Sequence, residues 1–224
     1  MVLITGAAQG LGACLALTFA KNNYDLLLTY LTNEEKAFEL QKKIIDNYNV
    51  KCIVKKLDIT CEENVKGLFD IHNIDIVINN ASLSNDNYIE EKSFNEFMDV
   101  VKVNLGGTYL MCKYSNKAKC IINISSTDGI NTYSPISLDY SASKAGIINL
   151  TKNLSLHYKD KKIYSVCPNW INTEGVLSMN KEYLMGEMKR IGQKELLDKN
   201  KVAEKIYELV NSNKKSGSVV IIDE

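Results

Sequence analysis

Tyr140 and Lys144, four residues apart in Tyr140-Ser141-Ala142-Ser143-Lys144, are the side chains best suited by type and spacing to move a proton. On a helix that spacing places both on one face. A free phenol titrates near about pH 10 and is a poor base at neutrality, and an adjacent ammonium favours its ionised form. The pair is expected to bring the phenol into working range for acid–base chemistry. Upstream, Ile121-Ile122-Asn123-Ile124-Ser125-Ser126 ends an apolar run in hydroxyls. A serine there can donate a hydrogen bond to an oxygen on which negative charge develops. Asn79-Asn80-Ala81-Ser82 closes another apolar run, either as turn formers or as the lining of a binding crevice.

A second constellation lies at the start of the chain. The run Val2 to Thr5 leads into Gly6-Ala7-Ala8-Gln9-Gly10-Leu11-Gly12, which opens a segment carrying Ala13, Leu15 and Ala16. Strand, glycine turn and helix in this order make a site where backbone N–H groups approach a pyrophosphate at the positive end of a helix. The spacing, Gly-x3-Gly-x-Gly, departs from the general dinucleotide pattern, but its context predicts a dinucleotide site. The second apolar run ends Leu28-Thr29-Tyr30-Leu31-Thr32-Asn33, with no carboxylate before Glu34. A carboxylate there would bind a ribose 2′-hydroxyl and repel a 2′-phosphate. NADP(H) is therefore expected ahead of NAD(H), with Thr32, Asn33 and Lys36 as phosphate candidates and Gln9 neutral beside them.

The elements that must position these residues follow from hydrophobic pattern. Apolar runs recur at Val2 to Thr5, Asp25 to Tyr30, Lys51 to Leu57, Ile74 to Ile78, Cys120 to Ile124, Ile163 to Cys167 and Val219 to Ile222. They lack polar alternation, as expected for strands buried on both faces. Amphipathic segments near 10–22, 33–47, 61–71, 93–114, 139–159 and 200–212 separate them. This alternation predicts a three-layer αβα fold of the Rossmann type, a doubly wound parallel sheet of about seven strands. Thr60 with Glu63, and Ser93 with Glu96, read as capping boxes opening two helices. No composition change marks a boundary, so residues 1–224 are read as one domain. Thr173 to Lys199 breaks the rhythm and is either a mobile lid or a surface helix pair.

Composition narrows the function classes. The 27 basic residues balance the 27 acidic ones, which gives no global field for nucleic acid or an anionic membrane. Arg190 is the one arginine, so bidentate clamping of a phosphate has a single candidate. The six cysteines lack metal-ligand spacing and only His72 and His157 complement them, so no metal is expected. Reduced thiols, a cytoplasmic location, no leader peptide and no membrane span are the matching expectations. His72 and His157 read as surface or helix-end residues, Cys14 and Cys167 as buried inert thiols. Trp170 either lines a pocket or fills a core gap, and Met179, Met185 and Met188 either form an adaptable substrate wall or pack ordinarily.

Taken in order, these segments resemble the short-chain dehydrogenase/reductase family along nearly the whole chain. Residues 5–12 resemble its cofactor turn, Asp58 before Ile59 its adenine-contacting aspartate, and residues 79–82 its NNAG element. Val103-Asn104-Leu105 resembles the segment of the catalytic asparagine, while 123–126 and 140–144 resemble the serine and tyrosine–lysine elements. The resemblance implies hydride transfer between a nicotinamide and a carbonyl or alcohol. By it, Ser126 polarises the carbonyl, Tyr140 donates the proton, Lys144 holds the nicotinamide ribose, and Asn104 anchors a relay water. It assigns cofactor contacts to Thr5, Gly6, Ala8, Gln9, Gly10, Leu11, Gly12, Tyr30, Thr32, Asn33, Asp58, Ile59, Asn80, Ala81, Ser82, Tyr140 and Lys144, and to Pro168, Asn169, Ile171 and Thr173.

Two departures stand out. Ser126 to Tyr140 is one residue longer than the family's usual interval, leaving Ser125 and Thr127 as alternative hydroxyls. Pro168-Asn169-Trp170-Ile171-Asn172-Thr173 carries Asn169 where the family has glycine. The nearest branch in layout is the 3-oxoacyl-acyl-carrier-protein reductases, for which Lys181, Lys189 and Arg190 would supply a basic docking surface. A reductase of a sugar, pterin or other small carbonyl is the alternative, and a non-catalytic dinucleotide sensor is a third. A homodimer or homotetramer is implied.

Overall fold

The computed structural model describes residues 1–223. Seven strands form one parallel sheet: β1 (Val2–Ile4), β2 (Leu26–Tyr30), β3 (Cys52–Lys56), β4 (Ile76–Asn79), β5 (Cys120–Ile124), β6 (Lys162–Pro168) and β7 (Val219–Ile222). Their order is β3-β2-β1-β4-β5-β6-β7. The chain therefore runs outward from β1 to one edge, returns beside β1 as β4, and runs outward to the other edge. At the β1/β4 switch point the loops diverge to opposite faces and leave a crevice beyond the strand C-termini. Register aligns those termini, with Ile4 opposite both Leu28 and Ile78.

Every residue of β1, β2, β4 and β5 is buried, as the unbroken apolar runs predict. The edge strands differ: Lys55 and Lys56 of β3 are exposed, and β7 is only partly covered. Charge on an edge strand blocks further pairing, so these lysines correct the expectation of seven fully buried strands.

The helices are α1 (Gly10–Lys21), α2 (Glu34–Asn47), α3 (Glu62–Ile71), α4 (Phe94–Val101), α5 (Thr108–Tyr114), α6 (Leu138–His157), α7 (Glu174–Leu177), α8 (Lys181–Ile191) and α9 (Lys199–Asn211). One core joins Val2 and Ile4 to α1, α2 and α9 through Leu15, Phe19, Ile44 and Ile206. The other joins Leu3 and Val77 to α3 and α5 through Val65, Leu68 and Met111. Alternate residues of each strand thus feed opposite cores, the three-layer arrangement predicted.

Two local expectations are corrected. The Thr60–Glu63 capping box does not form: the Thr60 hydroxyl donates to Asp58 Oδ1 at 2.8 Å, and α3 starts at Glu62 with Cys61 as an N-cap lacking a side-chain bond. The Ser93–Glu96 box does form, opening α4. The single helix expected over 93–114 is interrupted by a π-helical turn at Lys102–Gly107, which inserts Asn104 between α4 and α5. Such turns often mark functional positions because the extra residue redirects a side chain.

Candidate active site

The glycine turn follows directly from β1. Gly6 and Gly10 adopt φ of 62° and 59°, a left-handed backbone that disfavours side chains. Gly12 is required for a different reason: a Cβ there would lie 2.5 Å from the Gly6 carbonyl oxygen and 2.7 Å from Asn80 Nδ2. Asn80 locks the turn by donating from Nδ2 to the Thr5 and Gly6 carbonyls at 3.0 and 3.1 Å. The Thr5 hydroxyl accepts from the Asn80 and Ala81 N–H groups, both at 3.0 Å. Thr5 and Gly12 thus brace the turn from behind and do not line the crevice.

That crevice encloses about 680 Å³ along the strand C-termini. It brings together nearly every residue the sequence singled out. Gly6, Ala8, Gln9, Gly10, Leu11, Tyr30, Thr32, Asn33, Asp58, Ile59, Asn80, Ala81 and Ser82 line the part beside the glycine turn. Ser126, Tyr140, Lys144, Pro168, Asn169, Ile171 and Thr173 line the remainder. The residues fit a pyrophosphate: the first turn of α1 has neither a side-chain cap nor a carboxylate, so its N–H groups point outward at the helix's positive end. An anion is already drawn there. The Glu174 carboxylate is held below its usual range mainly by a hydrogen bond from Lys199, with the Gly10 N–H adding to it.

Three hydroxyls compete at the end of β5, and hydrogen bonding separates them. Ser125 Oγ donates to the Lys144 carbonyl at 2.7 Å, and Thr127 Oγ1 donates to Asn169 Oδ1 at 2.5 Å. Ser126 is the one whose hydroxyl acts on the Tyr140 phenol. Asn169, standing where a glycine was expected, has no left-handed backbone and uses its amide to hold Thr127.

Lys144 is 2% exposed, with Nζ donating to the Ile124 carbonyl at 3.0 Å and lying 5.1 Å from the centroid of the Tyr140 ring. Burial pushes Lys144 down to about 8. The expected depression of the phenol by this ammonium is not what the site produces. Burial raises Tyr140 well above its usual range, Asp128 and Asp86 add to the rise, and the Ser126 and Ser82 hydroxyls oppose it. The phenol is thus held protonated, the form needed to donate.

Asn104 is fully buried, and its amide bonds fill within the chain. Oδ1 accepts from the Leu83 N–H at 2.8 Å and the Ser82 hydroxyl at 3.2 Å; Nδ2 donates to the Leu83 carbonyl at 2.9 Å and Ser143 Oγ at 3.0 Å. Ser143 in turn donates to the Tyr140 carbonyl at 2.7 Å. Asn104 therefore ties the loop after β4 to the helix carrying Tyr140, without lining the crevice. With both donors and both acceptor positions taken, its side chain has no capacity for a relay water.

Other expectations resolve by position. Trp170 and Met179 line the crevice, whereas Met185 is exposed. His72 caps the end of α3 and His157 closes α6. The six cysteines are unpaired, and among the described residues no group suits a metal ion and no helix is long and apolar enough to cross a membrane. The sequence reading missed the carboxylates of the crevice, Asp86, Asp128, Glu174 and Glu187, because no motif flags an isolated acid.

A family profile described as short chain dehydrogenase matches residues 1–184. This chain belongs to the short-chain dehydrogenase family. Among its relatives is a 3beta-hydroxysteroid dehydrogenase 1 of Eggerthella lenta, 32% identical over 77% of this chain and 70% of the relative. A 3-oxoacyl-[acyl-carrier-protein] reductase FabG of Aquifex aeolicus is 29% identical over 80% of this chain and 77% of that protein. The fold matches the crystal structure of a dehydrogenase/reductase from Sinorhizobium meliloti with a TM-score of 0.91 at 22% identity, covering 99% of this chain and 92% of that one. As a short-chain dehydrogenase the chain is an NAD(P)-linked oxidoreductase of alcohols and carbonyls.

Proposed function

We propose that this short-chain dehydrogenase is an NADP(H)-dependent carbonyl reductase. The observation that carries the reading is the meeting of Ser126, Tyr140 and Lys144 with the glycine turn in one crevice. A nicotinamide bound there supplies the hydride. The Ser126 hydroxyl donates to the substrate oxygen, the Tyr140 phenol delivers the proton to it, and Lys144 steadies the phenol and the cofactor ribose. Asn104 acts as a positioning residue through Ser82 and Ser143. The cofactor contacts are those residues of the crevice that surround the turn, with Thr5 and Gly12 shaping it from behind. NADP(H) is favoured over NAD(H) because no carboxylate ends β2 and Lys36 Nζ, donating to Gln9 Oε1 at 3.0 Å, sets a positive charge beside the glycine turn.

Residues 1–224 act as one dinucleotide-binding domain in which 173–199 serve as a substrate lid. Support for the lid comes from Val176, Met179 and Glu187, which cover the crevice from α7, α8 and the turn between them. The protein works in the cytoplasm as a homodimer or homotetramer, consistent with exposed Phe94, Met98 and Tyr109 on α4 and α5. An acyl-carrier-bound substrate is supported by the Aquifex relative and by exposed Lys181 and Lys189 on α8. A small polar carbonyl is supported by Asp86, Asp128 and Ser134 in the crevice wall.

The test is NADPH oxidation against a panel of ketones and acetoacetyl thioesters, with Tyr140→Phe as control. Turnover with some member, lost in the variant, supports the reductase. Tight NADPH binding with no oxidation across the panel would make the chain a dinucleotide sensor.

A further inference from the structure

The substrate end of the crevice is unusually acidic. Asp86, Asp128 and Glu187 line it, and among the described residues Lys144 is the one cation doing so. Nearby positive charge is already engaged. Arg190 Nε and Nη2 donate to the Glu187 carboxylate at distances from 2.6 to 3.2 Å, and Nη1 donates to the Tyr133 carbonyl. Lys92 Nζ is buried against Asp139 at 2.6 Å and also donates to the Asn85 carbonyl. Glu187 is thus neutralised, while among the described residues Asp86 and Asp128 form no ion pair; burial raises the Asp128 carboxyl, and Arg190 and Lys144 act on it only from a distance. Each uses one oxygen locally: Asp86 Oδ1 accepts from Ser137 Oγ at 2.8 Å, and Asp128 Oδ1 from Thr132 Oγ1 at 2.6 Å.

A second observation points to a ligand. Ser134, 9% exposed, lines the same end, and its hydroxyl oxygen has no hydrogen-bond partner of ordinary length, although it lies close enough to Tyr183 to act on that phenol. A buried polar atom without a partner costs stability unless something fills it. A metal ion is not that occupant, since among the described residues no three acidic, cysteine or histidine side chains converge on a common point. An acyl chain would bring neither a donor nor a charge to Asp86 and Asp128. A carboxylate or phosphate would meet repulsion from both.

Resting on the reductase reading for which end takes the substrate, we infer that the substrate is a small carbonyl or alcohol bearing a protonated amine. The ammonium lies between Asp86 and Asp128, with the Ser134 hydroxyl oxygen accepting from it. Charge-assisted hydrogen bonds of this kind discriminate strongly between cation and anion of equal size.

Trp170 is the chain's only tryptophan and lines the crevice, so its fluorescence reports binding independently of turnover. The protein saturated with NADP⁺ is titrated with aminoacetone, dihydroxyacetone, butanone and acetoacetate. Aminoacetone is expected to bind at least about tenfold tighter than butanone and tighter still than acetoacetate. Asp86→Asn and Asp128→Asn should each narrow the aminoacetone-to-butanone ratio severalfold, and the double variant should abolish it. The single variants keep the inference testable should the double variant not fold, which thermal melting reveals. Equal binding of dihydroxyacetone and aminoacetone, tighter binding of acetoacetate, or ratios unmoved by the single variants would overturn it. Failure of the reductase reading shows separately, as absent turnover sensitive to Tyr140→Phe.

Discussion

Ser125 Oγ donates to the main-chain carbonyl of Lys144 at 2.7 Å, while Lys144 Nζ donates back to the Ile124 carbonyl at 3.0 Å. These bonds stitch the end of β5 to the middle of α6 and set the distance between the strand-end hydroxyls and the phenol. They also remove Ser125 from the chemistry. Ser126→Ala is expected to lower kcat by about 10²–10³ with little change in melting temperature, as for loss of a donor to a developing oxyanion. Ser125→Ala should cost about 1 kcal/mol of stability and lower kcat less than tenfold. Steady-state kinetics with thermal melts separates the two.

Lys144 is buried and its pKa is pushed down to about 8 by desolvation. A lysine lowered in the folded state binds fewer protons than in the unfolded chain between about pH 8 and its ordinary value near 10.5. Stability must then rise with pH across that window, and below it the cost of charging the buried group is fully present. Lys144→Met should abolish turnover yet raise Tm at pH 7 by about 2–4 °C. The gain should shrink as pH climbs from about 8 toward 10.5, which melts at a series of pH values would follow. A gain that grows with pH would contradict the burial argument.

Lys36, in the first turn of α2, reaches the glycine turn with Nζ 3.0 Å from Gln9 Oε1 on an exposed surface. Lys36→Ala should raise KM for NADPH by about tenfold and leave KM for NADH within a factor of about two. The NADPH effect should weaken as salt is added, since the contact is solvent-exposed. Equal effects on both cofactors would remove Lys36 from phosphate recognition.

Gly12 has no room for a methyl group, whose carbon would sit 2.5 Å from the Gly6 oxygen. Gly12→Ala should destabilise the fold by about 1–3 kcal/mol and weaken dinucleotide binding together with it. Gly67→Ala is the control: nothing lies within 4 Å of the added carbon on α3. It should be neutral or slightly stabilising. Calorimetry and cofactor titration on both variants check the pair.

Much of this molecule could be read from the order of its residues. The seven strands fall where the apolar runs lie, and the Ser93–Glu96 cap forms because both partners sit within one turn. Tyr140 and Lys144 share a helix face for the same local reason. Thr60 was misread because Asp58, two residues back, competes for its hydroxyl at 2.8 Å. The π turn around Asn104 had no local signal: its Gly107 packs where a Cβ would meet Ile59 at 2.5 Å, a contact between segments far apart in the chain.

The sequence by itself determined the periodicities, the glycines that permit the turn, and the inventory of hydroxyls, phenol and ammonium, because these depend on neighbours within a few residues. Only the tertiary structure decided which of Ser125, Ser126 and Thr127 faces the phenol, that the Asn104 side chain is spent on Ser82, Leu83 and Ser143, and that burial raises Tyr140 against the Ser126 and Ser82 hydroxyls. It also gathered Asp86, Asp128 and Glu187 from separate segments into one wall. Desolvation and charge–charge interaction are set by distance through space, and that distance does not exist until the sheet has closed its two cores around the crevice.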